Sequence, residues 1–120
     1  MKLARLSFVA VVSIMSVAVA WAAEGPPPER LIDNESFRLL KITWPPGMHQ
    51  AELHPPPTKA TIATALTSGE IEVNFRQNGK TWTEKGHVDV GKVWYLPKTL
   101  EHQFTNIGDK PFVLTSLQLK

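Results

Sequence analysis

Apolar and polar residues alternate with a period of two along most of this chain. Ile71, Val73 and Phe75 alternate with Glu72, Asn74 and Arg76, which is the pattern of a strand with one face buried. Thr61 to Leu66 also alternates, with Ile62, Thr64 and Leu66 on one face and Thr61, Ala63 and Ala65 on the other. Further strands are expected over Glu35–Trp44, Thr81–Glu84, Val93–Leu96, His102–Asn106 and Phe112–Leu119. Met48 to His54 reads as a short polar strand or an extended loop. The pattern leaves the buried face of Glu35–Trp44 open. Trp82 is the apolar anchor of its strand, and Lys85-Gly86 is expected to end it.

Turn residues separate these runs. Asn78-Gly79 supplies the two positive-φ positions of a tight hairpin turn. Pro45-Pro46-Gly47, Pro55-Pro56-Pro57 and Gly108-Asp109-Lys110-Pro111 interrupt ladder pairing. No segment shows a helical period. The sum is an all-β domain of about eight short strands, a sandwich or barrel.

The first 22 residues do not fit this pattern. Lys2 and Arg5 precede a mostly apolar run from Leu6 to Ala20, and Ala20-Trp21-Ala22 is a small-x-small site. This is expected to be a secretory signal peptide cleaved after Ala22. Residues 23–34, with Gly25-Pro26-Pro27-Pro28, read as a linker, and 35–120 as the domain. The expected location is outside the cytoplasm: periplasmic in a Gram-negative host, otherwise secreted. No later stretch is long and apolar enough to span a bilayer, so no membrane contact is expected after cleavage.

Loss of Lys2 and Arg5 turns 13 basic residues into 11, against 11 acidic ones. The remaining chain is formally neutral and carries no basic stripe, which argues against nucleic acid as a partner. It has no cysteine, so no disulfide supports the sheet.

The stretch Gly91 to Asn106 carries more than alternation. Gly91, Pro97, His102 and Asn106 fall at the spacing Gly-x5-Pro-x-Gly-x2-His-x3-Asn, with Thr99 in place of the middle Gly. This resembles the second motif of the cupin superfamily. Leu66 to Val73 is similar to the strand, Gly turn and strand at the end of the first cupin motif. The turn at 108–111 and the strand after it resemble the strand pair beyond the second motif. The likeness covers residues 47–120. It implies a small cupin-type β-barrel (a double-stranded β-helix, or jelly roll). It also implies that His102 points into the barrel, where cupins use this histidine as a metal ligand.

The first cupin motif, Gly-x5-His-x-His-x3–4-Glu-x6-Gly, does not carry over. Counting back from Gly69 puts Ile62 at the glutamate and residues 55–58 at the histidines. A substitute set is open. Glu52 and His54 are two apart and share a face on a regular strand. With His102 they would offer two imidazoles and a carboxylate, suited to Fe, Mn or Zn. His49 joins only where the backbone is irregular. The alternative is that Glu52 and His54 are solvated and His102 is a hydrogen-bonded core residue. His87 reads as a surface residue. Trp44, Phe75, Trp82, Trp94, Tyr95 and Phe104 are core or pocket aromatics, and Ile62, Leu66, Trp94 and Phe104 are expected to line the interior.

Three functions remain in view. The first is a non-catalytic or small-molecule-binding cupin whose metal ligands are mostly lost, holding a small organic ligand. The second is a metal-dependent enzyme of oxygenase or isomerase type on the substitute ligand set. The third is an interaction or assembly subunit. The resemblance also raises a homodimer, with Glu35–Trp44 as a candidate exchanged strand. The first function is favoured, because three of the four cupin ligand positions hold non-ligands. The signal peptide gives a direct test: protein recovered from the export compartment should begin at Ala23 by intact mass. Arg in place of Ala20 and Ala22 should leave the chain full length.

Overall fold

The computed structural model describes residues 25–120, and all of their regular structure is β. The expected signal peptide, residues 1–22, lies outside the described residues. Eight strands occur in order: β1 Glu29–Asp33, β2 Phe37–Trp44, β3 Ala60–Ala65, β4 Gly69–Gln77, β5 Lys80–Val88, β6 Val93–Pro97, β7 Glu101–Asn106 and β8 Phe112–Leu119. They form a five-stranded sheet, β1-β2-β8-β3-β6, facing a three-stranded sheet, β5-β4-β7. All pairings are antiparallel. This is the all-β arrangement that the alternation predicts.

The hairpin β4–β5 forms where Asn78-Gly79 places it. Asn78 has φ 53° and Gly79 φ 75°, the left-handed pair that matches the twist of the flanking strands. β5 does not end at Lys85-Gly86 as expected. It continues to Val88, with Gly86 opposite Ile71 and Val88 opposite Gly69. Gly86 sits at φ 152°, so the absence of a Cβ keeps the ladder in register there.

The segment expected as a linker also contributes a strand. β1 pairs with β2, with a bulge between Arg30 and Ile32. Lys120 holds its end, donating from Nζ to Asp33 at 2.6 Å and to the Asn34 carbonyl at 2.7 Å. Composition concealed this strand because all five of its residues are exposed.

The core lies between the sheets and is aromatic. Phe104 of β7 packs against Trp44 (centroids 5.2 Å apart) and edge-on against Trp94 (5.3 Å). Phe112 stacks on Trp44 at 6.4 Å. Such pairs add ~0.5–1.5 kcal/mol each beyond the area they bury. This bulk decides which face of β3 turns inward. Thr61, Ala63 and Ala65 are buried, whereas Ile62 is half-buried and Leu66 exposed. The expected interior placement of Ile62 and Leu66 is therefore reversed. Ala63 lies opposite Trp94 on the adjacent strand, and only a small side chain leaves room for the indole. In β2 the inward residues are Arg38, Leu40, Ile42 and Trp44. Arg38 Nε donates to Gln118 Oε1 at 2.9 Å at the polar end of this face.

One buried amide joins the layers. Asn106 is 1% exposed. Its Nδ2 donates to the Trp44 carbonyl at 2.9 Å and to the Lys110 carbonyl at 2.8 Å, and its Oδ1 accepts from Gly108 N–H at 3.0 Å. Asn106→Ala should cost ~2–4 kcal/mol, because it strands buried polar groups as well as losing bonds. Asn74, bonded to Gln103 and Thr83 on the solvent side, should cost under ~1 kcal/mol as Asn74→Ala. Urea denaturation of both variants measures the difference.

Candidate functional site

The connection from β2 to β3 completes the small sheet without forming a regular strand. Gly47 and Gln50 donate to the carbonyls of Asn106 and Phe104, and Asn106 N–H donates to the Met48 carbonyl. His54 and His102 then exchange both backbone bonds, at 3.1 and 2.9 Å. From Gln50 to His54 is four residues, whereas from Phe104 to His102 is two. The two extra residues, Ala51 and Glu52, loop out and are exposed, a two-residue bulge.

This bulge settles the fate of each expected ligand. His54 faces inward, its ring 4.6 Å from that of His102. Glu52 does not join them, because the even spacing that would align it with His54 holds only on a regular strand. Its carbonyl accepts from His54 Nδ1 at 3.0 Å, but its side chain is exposed. His49 pairs opposite Thr105 and is exposed. Among the described residues, no three His, Asp or Glu side chains converge as metal ligands. The residues present therefore do not fit the three- or four-ligand metal that the cupin resemblance implies.

The protonation of the pair is set by its partners. The Gln50 carboxamide is oriented by Phe104 N–H, which donates to its Oε1 at 2.9 Å. Gln50 Nε2 therefore faces His54 Nε2, at 3.4 Å. A carbonyl only accepts, so the proton of His54 sits on Nδ1 and its Nε2 receives the Gln50 amide. His102 likewise donates from Nδ1 to the Leu100 carbonyl at 3.4 Å. Each ring thus keeps its unprotonated nitrogen at Nε2. His102 is 5% exposed. Burial, and secondarily the repulsion of a protonated His54, push its pKa down to about 4 against a weaker opposing bond to Leu100. It is a neutral core imidazole at physiological pH. The free nitrogen of each neutral ring can accept a hydrogen bond.

Beside the pair opens a cleft of about 430 Å³, lined by Pro26, Pro28, Ile42, Trp44 and Met48 with Gln50 and His54. His49, Ala51 and Glu52 form its rim. A second cleft of about 390 Å³ lies between β5 and β6, over Ile71, Val73 and Trp94. Its rim is charged, with Glu84, Lys85, Asp89 and Lys92. Of the four expected interior residues, Trp94 reaches this second cleft and Phe104 lies buried between the two tryptophans. Ile62 and Leu66 reach neither. His87 is a surface residue, as expected, held between Glu70 (2.8 Å) and Asp89 (3.3 Å). The Glu70 hydrogen bond raises its pKa. Sequence reasoning missed Gln50 and Ile42. Gln50 lies at even spacing from His54, and a two-residue bulge preserves that parity.

The buried imidazole predicts a pH dependence of stability. Unfolded, His102 titrates near its ordinary value of 6.5, and folded near about 4. Between these values the unfolded chain binds the extra proton. Stability present above pH 6.5 is therefore lost as pH falls toward 4, by up to ~3 kcal/mol. Denaturation midpoints of wild type and His102→Gln from pH 7 to 4 should converge. Parallel curves would show that His102 does not carry the effect.

No family model matches the chain, and no curated protein matches it. Solved structures do. A cupin domain from Bordetella pertussis Tohama I aligns with a TM-score of 0.61 at 22% identity, over 78% of this chain and 92% of that one. An RmlC-like cupin family protein with a double-stranded β-helix fold, from Methanocaldococcus jannaschii, aligns with a TM-score of 0.62 at 16% identity, over 81% and 82%. Oxalate oxidase in complex with the substrate analogue glycolate aligns at 0.62 and 18% identity, over 80% of this chain and 52% of that one. At such identities the likeness is one of fold. With the two facing antiparallel sheets, it shows that this chain has the cupin-type double-stranded β-helix fold.

Proposed function

We propose that this chain is an exported protein that binds a small, mostly apolar organic molecule in the cleft beside the histidine pair. The observation that carries this reading is the lining of that cleft. Ile42, Trp44, Met48, Pro26 and Pro28 give it apolar walls, and Gln50 and His54 give it a polar base. A volume of about 430 Å³ falls within the range of small-molecule sites, and so does the mixture of apolar walls with few polar groups. The burial pattern agrees. Ile42 points inward from β2 but is only half-buried, while Trp44 beside the same opening is fully buried. The inner face of β2 is thus left partly uncovered. Polar groups on the ligand would meet the Gln50 amide and the His54 ring. Export rests on the leader read from residues 1–22.

A metal-dependent enzyme is the second reading, and one observation favours it. His54 and His102 lie ring to ring, each donating from Nδ1 to a backbone carbonyl. Two imidazoles are a short donor set, and the bulge at Ala51–Glu52 keeps the carboxylate out. Elemental analysis of protein from its own compartment separates the two readings. Near-stoichiometric metal abolished by both His54→Ala and His102→Ala would establish the enzyme reading's site.

The binding reading is tested by an NMR fragment screen. Shift changes should cluster at Ile42, Met48, Gln50 and His54, and Ile42→Ser should weaken the best fragment about tenfold, the loss of ~1.4 kcal/mol of apolar contact. Changes gathered instead at Val88 and Trp94, or no binding at all, would sink the proposal.

A further inference from the structure

β5 ends the three-stranded sheet and β6 ends the five-stranded one, and the two do not pair. The second cleft, of about 390 Å³, lies in the seam between them. The register sets Glu84 opposite Val73, Gly86 opposite Ile71 and Val88 opposite Gly69. Those residues of β5 therefore share the face that β4 turns to the core. Along that face β5 carries Trp82, Glu84, Gly86 and Val88. Trp82 stacks on Phe75 at 5.2 Å, as a side chain that closes a core does. Glu84 and Gly86 do the reverse. One brings a carboxylate to an apolar floor, and the other brings no side chain at all. A Cβ on Gly86 would meet no atom within 4 Å, so the backbone there fronts open space. Glycine inside a strand often marks a place where a ligand can approach the backbone.

The rim carries charge of both signs. Asp89 is engaged by His87 at 3.3 Å, and His87 also meets Glu70 at 2.8 Å. Among the described residues, Glu84, Lys85 and Lys92 form no ion pair, and all three are exposed. Lys92 holds its Nζ 5.9 Å from the centre of the Trp94 indole. Its ammonium thus stands over the apolar wall that β6 contributes. One carboxylate and two ammonium groups border a floor of Ile71, Val73 and Trp94, whose side chains are buried at its base.

We propose that this cleft is a second binding site, for a small zwitterion with an apolar body: a free α-amino acid with an apolar side chain. The ligand's ammonium meets Glu84, and its carboxylate meets the lysines, through charge-assisted hydrogen bonds. Its side chain lies along Val88 and Trp94, over the gap left at Gly86. The lining disfavours simpler occupants. A purely apolar molecule would strip water from Glu84 and Lys92 without replacing it. A ligand of one charge would set that charge near its like on the same rim. The volume is toward the lower end for small-molecule sites, which suits one amino acid better than a longer chain. The two clefts share no lining residue, so this site stands independently of the one beside His54.

NMR titration of the purified protein at low salt, with L-phenylalanine and with L-leucine, tests this. At least one should shift Val88 and the Trp94 indole N–H while leaving Ile42 and Met48 unmoved. Removing either charge from the tighter of the two should raise the dissociation constant about tenfold or more. The probes are phenethylamine and 3-phenylpropionate for L-phenylalanine, and isopentylamine and 4-methylpentanoate for L-leucine. Glu84→Gln should weaken the amino acid about tenfold but not its carboxylate analogue, and Lys92→Met should weaken the amino acid but not its amine analogue. Glu72→Gln, on the outer face of the same hairpin, and Ile42→Ser, in the first cleft, should change neither. No shift at Val88 or Trp94 with either amino acid at millimolar concentration would overturn the proposal. So would analogues that bind as tightly as their parent, or an affinity indifferent to both Glu84→Gln and Lys92→Met. The rim would then be only the charge that keeps an edge strand from pairing with other chains. Shifts gathered at Ile42 and Met48 would put the amino acid in the first cleft and overturn this proposal alone.

Discussion

The two layers of this molecule are held in one relation by the carboxamide of Asn106. An amide buried to this degree must satisfy its donors and its acceptor, or the site is worth less than an apolar one. Asn106 meets that demand with three backbone groups from separate places: the end of β2 at Trp44, the turn at Gly108, and Lys110 just before β8. Closing those bonds fixes where β2 leaves its sheet and where β8 enters it. Both strands carry core aromatics at those points, Trp44 and Phe112, which stack on each other. The aromatic packing therefore depends on a polar constraint. An aliphatic side chain of the same size would fill the space without directing the chain.

His102 sits four residues before Asn106 on the same strand, with His54 paired opposite it. His102 shares its inward face with Phe104 and Asn106, so the ladder that positions the amide also positions the imidazole. What the ladder does not position is a third donor. The chain beside β7 tracks it closely at Gly47 to Gln50 and again at His54, but departs between them. A regular strand there would have placed Glu52, rather than His54, opposite His102. The departure instead leaves the Glu52 carbonyl as a hydrogen-bond partner of His54 and sends its carboxylate to solvent. Which side chains meet His102 is thus decided by the backbone path of a few residues.

Much of this fold was legible because alternation and turn chemistry are local. β4 and β8 come from their period of two, and the Asn78-Gly79 turn from its need for positive φ. The spacing of Gly91, Pro97, His102 and Asn106 pointed to the architecture and to an inward His102. Three features were not legible, each for a physical reason. Period two is symmetric, so Ile62 and Ala63 were equally able to face the core; only the bulk of Trp94 across the ladder decides between them. The pairing of β1 depends on Lys120, at the other end of the described chain, and leaves no trace in the composition of 29–33. The bulge at Ala51–Glu52 shows itself only when two strands are counted against each other.

That bulge has a consequence for how the protein can change over generations. Ala51 and Glu52 stand outside the ladder, are exposed, and lie at the rim of the apolar cleft. Replacement, insertion or loss of residues there leaves the bonds at Gln50 and His54, and hence the sheet, where they are. Drift in those few positions would alter what the cleft admits while the amide at Asn106 and the aromatic core continue to hold the frame. The exposed rim of the cleft and the buried frame of the fold are carried by different residues.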